Sequence, residues 1–141
     1  MGKNARRQDS HRRSGHEQRH LVFFEGRPGA LELYEAFEQR VRAQVEGVTV
    51  KVGRSQISFY NRHMFACVSF ARVRRKRDCP PCCLVVTFGL DHRVESARID
   101  VATQPYPNRW THHVLISDKA QIDGELMGWI TQAAAFAAAK R

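Results

Sequence analysis

The stretch Asn108-Arg109-Trp110-Thr111-His112-His113-Val114-Leu115-Ile116-Ser117 decides how the chain reads. Its alternation predicts a strand that runs directly into the last helix. Trp110, His112, Val114 and Ile116 fall on one face, and Thr111, His113 and Leu115 on the other, because successive strand residues point to opposite sides of a sheet. One imidazole is therefore expected among apolar neighbours, with the next one opposite it.

Downstream, Ser117 or Asp118 is expected to cap the final helix, since either side chain can accept from free N–H groups of the first turn. Ile122, Leu126, Ile130, Ala133 and Ala137 make its apolar stripe, widened by Trp129 and Phe136. Upstream, Ala97 to Thr103 alternates as Ile99, Val101 and Thr103 against Arg98, Asp100 and Ala102. Gln104 to Asn108 holds two prolines and reads as a stiff loop. Leu84 to Leu90 places Leu84, Val86, Phe88 and Leu90 on one face. Met64, Ala66, Val68 and Phe70 share a face of an earlier strand, with Phe65 and Cys67 opposite. Gln56 to Tyr60 and the short Val48 to Val52 precede it. Ala30, Leu33, Tyr34, Phe37, Val41 and Val45 form one helical stripe, with Pro28 near its first turn and Gly47 at its end. The result is an α+β fold. An antiparallel sheet of about five to six strands is flanked by an N-terminal and a C-terminal helix, the helices covering one face.

Residues 1–20 carry Lys3, Arg6, Arg7, Arg12, Arg13 and Arg19 against Asp9 and Glu17. Too little apolar surface is present to offset chain entropy, so a disordered basic leader is expected there, with a single domain over 21–141. The leader reads as a phosphate-tracking arm or as a plain solvated extension. The net charge of +9 favours anionic partners such as nucleic acid, phosphorylated ligands or an anionic surface. No apolar run approaches the ~20 residues that span a bilayer, and the charged N-terminus has no apolar segment behind it, which excludes a secretory signal. A cytoplasmic setting with four free thiols follows as the default.

Gly26-Arg27-Pro28 followed by Leu31-Glu32-Leu33-Tyr34, then Ile57-Ser58-Phe59 and Phe65-Ala66-Cys67-Val68, and finally His112-His113 and Ser117 through Asp123 to Leu126, resemble the markers of a small bacterial family, domain of unknown function 5655. Some members carry the label "predicted transport protein". The resemblance covers roughly 24–137 and implies an α+β domain with no established reaction. The cysteine–proline loop and the basic leader depart from the family pattern.

Three constellations carry possible chemistry. Arg72, Arg74, Arg75, Lys76 and Arg77 crowd one hairpin tip and suit phosphate contact. Cys79-Pro80-Pro81-Cys82-Cys83 has the spacing of half a zinc site or of a redox pair. It precedes a strand, whereas a redox pair needs its cysteine at a helix N-terminus, so a structural loop is the favoured reading, ahead of zinc and redox. Arg54, Tyr60, Arg98, Arg109, Trp110, His112 and His113 form a candidate ligand-binding set, and His112 with Asp100 is the candidate catalytic pair. The commoner outcome for such residues is the solvated face of a half-covered sheet.

No phosphate loop, nucleophile elbow or paired-histidine metal motif is present, so a non-enzymatic reading is preferred. The expected function is a cytoplasmic binding module for an anionic ligand, with nucleic acid the best single choice. The alternatives are a small-molecule binder or enzyme with a pocket at His112, Asp100 and Arg109, and a structural protein-interaction domain. No cofactor is expected unless the cysteine loop holds zinc. The chain is expected to be a monomer or a small homo-oligomer, without membrane insertion.

Overall fold

A computed structural model describes residues 22–140; the basic leader, residues 1–20, lies outside the described residues. In order, the chain forms α1 (Ala30–Gln44), β1 (Thr49–Val52), β2 (Gln56–Tyr60), β3 (Met64–Ser69), β4 (Leu84–Leu90), β5 (Val101–Tyr106), β6 (Arg109–Ile116) and α2 (Gly124–Ala138). The six strands make one antiparallel sheet, ordered β1-β2-β3-β4-β6-β5. The α+β expectation holds, with six strands and these two long helices among the described residues. Among the described residues no helix is long and apolar enough to cross a membrane.

Both helices bury their stripes on one face of the sheet. The α1 residues Ala30, Leu33, Tyr34, Phe37 and Val41 are buried, and the Phe37 ring meets Phe59 of β2 edge-on at 5.6 Å. From α2, Leu126, Ile130, Ala133 and Ala137 are buried, and Trp129 stacks on Phe88 of β4 at 5.8 Å. Ile57, Val68, Val86, Phe88, Val114 and Ile116 complete this core. Aromatic pairs of this geometry add to the burial of apolar area that stabilises the layer.

Four local expectations change, each for a physical reason. The register shifts between Phe59 and Tyr60, so that Tyr60 faces Met64. Such a bulge turns two successive residues inward: Phe65 and Ala66 are both core, whereas Met64 is exposed and its sulfur accepts from Gln56 Nε2–H. The strand expected over 97–103 instead starts at Val101 and continues through Pro105 to Tyr106. β5 is an edge strand, where a missing N–H leaves no neighbour unpaired. The α2 cap is Asp123, whose carboxylate accepts from Leu126 N–H; Asp118 instead caps a short 3-10 turn, Lys119–Gln121. Finally, α1 starts two residues after Pro28, with Gly29 as its N-cap.

Candidate functional site

The chemistry gathers where β3 ends and β4 begins. After Ser69 the chain loops out through the basic cluster, makes a 3-10 turn at Lys76–Asp78, passes Pro80-Pro81 and re-enters the sheet at Leu84. The sequence places the basic cluster on a plain hairpin tip. Instead the loop folds back and is pinned. Arg74 donates from Nε to Asp100 Oδ1 at 2.7 Å and from its terminal nitrogen to Oδ2 at 3.3 Å. Asp100 Oδ2 also accepts from Leu115 N–H at 3.0 Å. Asp100 precedes β5, so this fork reaches past β4 and β6. Hydrogen bonding to Asp100 raises the Arg74 pKa, against the opposing effect of burial. The Cys79 thiol donates to the Arg75 carbonyl at 3.4 Å and tightens the turn. Val85 and Leu115 are buried on the face that carries no helix among the described residues, and both border this loop.

Between the loop, the β3 end and the start of α1 lies a cleft of about 270 Å³. Arg27, Arg72 and Lys76 line it, together with Ser69 and the thiols of Cys79, Cys82 and Cys83. Among the described residues no carboxylate does. The Arg27 guanidinium sits 4.1 Å above the Phe70 ring centroid, a cation–π contact that holds it at the rim. Burial raises the Cys83 pKa, neighbouring Cys79 and Cys82 add to the rise, and Arg27 and Arg74 oppose it. Two groups that the sequence shows side by side, the basic run and the cysteine run, thus become walls of one cavity. Arg27 joins them from the other side of the chain. The sequence signal for it was an arginine in a Gly-Arg-Pro-Gly turn ahead of a helix, which reads equally well as plain turn chemistry.

Gly29 backs the cysteine run from outside the cleft, where it lines a shallower depression with Cys82. Its φ is 81° and a Cβ there would come within 3.1 Å of the Cys82 sulfur. Gly29→Ala is therefore expected to lose about 1–2 kcal/mol from the left-handed conformation alone. The contact with Cys82 adds to that loss. Thermal denaturation checks it, with Gly26→Ala as the comparison: that glycine also has positive φ, at 72°, but open space around it.

The candidate catalytic pair and the ligand-binding set disperse. His112 is 0% exposed, on the helix-covered face, stacked on Phe88 at 4.9 Å. Its Nε2 accepts from Val94 N–H at 3.0 Å and so ties down the 91–100 connection. Burial lowers its pKa, partly opposed by the Phe88 backbone. Asp100 faces the other way and is held by Arg74. Arg109 lies over Gly89, where a Cβ would run into its guanidinium, and 5.8 Å from the Phe136 ring. The expected pocket of His112, Asp100 and Arg109 is absent because alternation sends His112 into the core while Asp100 serves the opposite face.

Arg98 is likewise occupied, with Asp123 at 2.8 Å, Glu125 at 3.1 Å and the Gln121 carbonyl at 2.7 Å. Arg54 is exposed beside β2, and Tyr60 sits under Lys51 at 4.7 Å. Trp110 lies under Arg93 at 5.8 Å. His113, on the open face, shares a 2.8 Å hydrogen bond with Thr87 through Nδ1, and burial lowers its pKa. Cys79, Cys82 and Cys83 share the cleft, but among the described residues no three Cys, His, Asp or Glu are arranged to hold a metal ion.

No curated protein and no solved structure matches the chain. The family described as "Domain of unknown function (DUF5655)" matches residues 22–137. That span takes in all six strands, α1 and all but the last residue of α2, and the chain belongs to the DUF5655 family.

Proposed function

We propose that the domain is a binding module for a small anionic ligand, held in the cleft beside the 71–83 loop. The observation that supports this reading is the lining: three cationic residues, one serine and three cysteines, with no carboxylate among the described residues to neutralise them. Cavities that bind small molecules are partly apolar with a few convergent polar groups, and here Phe70, Pro80, Val85 and Leu115 supply the apolar part. A low-dielectric wall strengthens the pull of each cation on a phosphate or carboxylate. The four free thiols among the described residues fit a reducing, cytoplasmic setting.

A second reading, nucleic acid, draws on a different observation. Arg72, Arg75, Lys76 and Arg77 are all exposed on the same loop, and Arg75 and Arg77 lie outside the cleft lining. Each phosphate neutralised releases counterions, so such binding weakens steeply with salt. One experiment separates the two. Inorganic phosphate, a nucleoside monophosphate and a fluorescent single strand are titrated against the wild type, Arg27→Ala/Arg72→Ala and Arg75→Ala/Arg77→Ala. Small-anion binding is expected to fall about tenfold or more in the first double variant and to hold in the second. Loss of strand binding in the second alone, without small-anion binding in the wild type, would favour nucleic acid. Equal small-anion affinity in all three proteins would remove the cleft reading.

A further inference from the structure

Cysteine reactivity depends on the surroundings of the sulfur, and the sequence context of Cys79-Pro80-Pro81-Cys82 counts against it, since a strand follows. The fold supplies another context. The Cys82 sulfur lies against Gly29, the N-cap of the 15-residue helix α1, although the two residues are far apart in the chain. That end of a helix presents unsatisfied backbone N–H groups and stabilises negative charge. Gly29 offers no side-chain cap. Cys82 also borders the cleft, where Arg27, Arg72 and Lys76 stand with no carboxylate among the described lining residues, and Cys79 and Cys83 line the same space. Gly29 itself faces a shallower depression on the far side of Cys82, which holds Glu32, Asp118 and Lys119, whereas Arg27, Pro28 and Ala30 bring the start of α1 to the cleft side. The fourth cysteine, Cys67, is set apart: it is 7% exposed on the sheet, and burial raises its pKa.

Resting on the reading of the cleft as an anion site, we infer that Cys82 is a nucleophilic thiol that exchanges with small disulfides carrying carboxylates. The cations hold the carboxylates and bring the disulfide to the helix end. The Cys82 thiolate forms a new S–S bond to one sulfur while the S–S bond of the small molecule breaks. The other sulfur leaves as a thiolate and takes up the proton that Cys82 released. Cys82 is oxidised and the departing sulfur is reduced. Attack on the mixed disulfide by Cys79 or Cys83 then releases a second small thiol and leaves a disulfide within the protein, so one small disulfide yields two thiols and one protein disulfide.

The test uses the full, reduced chain and a Cys79→Ala/Cys83→Ala variant, in which nothing in the cleft can displace the adduct. Each is mixed with glutathione disulfide or, separately, with the uncharged hydroxyethyl disulfide. Samples are quenched with acid and mapped by peptide mass spectrometry. The adduct is expected on Cys82, forming about tenfold faster with the anionic disulfide. Arg72→Ala/Lys76→Ala is expected to slow the anionic reagent far more than the uncharged one and so to remove that preference. An adduct spread evenly over the three cleft cysteines, an unreactive Cys82, or equal rates with both reagents would overturn the inference. S-methylglutathione, which keeps the charges but cannot exchange, is titrated by calorimetry in parallel. If it binds and Cys82 stays unmodified, the exchange fails and the anion cleft stands. If it does not bind and the two disulfides react alike, both fall.

Discussion

His112→Ala is expected to destabilise the domain by about 3–5 kcal/mol, a large part of the ~5–15 kcal/mol that holds an ordinary domain folded. Two losses combine. The fully buried ring leaves a void against Phe88, on which it stacks at 4.9 Å. The Val94 N–H, which donates to Nε2 at 3.0 Å, loses its acceptor. His112→Phe separates the two: it refills the void and leaves Val94 unpaired, so about 1–3 kcal/mol is expected. The same residue sets a pH dependence. Burial holds its pKa below the ordinary 6.5, and His113 shifts in the same direction. The unfolded chain therefore takes up protons that the folded chain refuses. Stability is fully present above pH 6.5 and falls as pH drops towards the folded-state values, by up to about 1.4 kcal/mol per pH unit for each imidazole. Denaturant titrations on both sides of pH 6.5 check this. The fall is expected to be shallower in His112→Phe, with only the His113 contribution left.

Asp100→Ala is expected to cost about 2–3 kcal/mol and to release the 71–83 loop. Its carboxylate, 13% exposed, receives the two-pronged Arg74 contact and the Leu115 N–H. Removing it leaves a buried strand amide unpaired and the loop without its anchor. Arg74 is 36% exposed, so solvent screens the pair. A double-mutant cycle with Arg74→Ala is therefore expected to show coupling of only about 1 kcal/mol. Hydrogen exchange of the Leu115 amide reports the same event locally, with protection falling in Asp100→Ala and persisting in Arg74→Ala. The cleft depends on this anchor, because Arg72, Lys76 and Cys79 reach it only through the folded-back loop. Weaker binding of small anions by Asp100→Ala is expected even though Asp100 is not part of the lining.

Most of the architecture was legible in residue order. Apolar residues at helical spacing in α1 and α2, and at alternate positions in β2, β4 and β6, are buried where the pattern requires it, except Trp110 and Phe136, which are half-buried. Such periodicity expresses one constraint, that apolar surface leaves water, and neighbours in sequence suffice to reveal it. Boundaries shifted where a second constraint intervened. The Phe59/Tyr60 bulge reversed the faces of Met64 and Phe65, and the edge position of β5 allowed a strand through Pro105.

The candidate site was legible only in its parts. Arg72, Lys76, Cys79, Cys82 and Cys83 stand out in the sequence as a basic run and a cysteine run. Their shared cavity depends on Arg74 reaching Asp100 across two strands, and the partner of a long flexible cation is not encoded by spacing. The helix end beside Cys82 belongs to α1, at the opposite end of the fold in chain order. Sequence by itself determined that the chain forms an antiparallel sheet with an N-terminal and a C-terminal helix on one face, and that His112 and His113 part company, since alternation is a local property of the backbone. Only the tertiary structure decided that His112 is a core residue tied to Val94, that Arg98 and Asp100 are spent on structural contacts, and that thiols, cations and the start of α1 meet in one cleft. Each of those outcomes depends on which strand lies beside which, and that order is set by long-range packing.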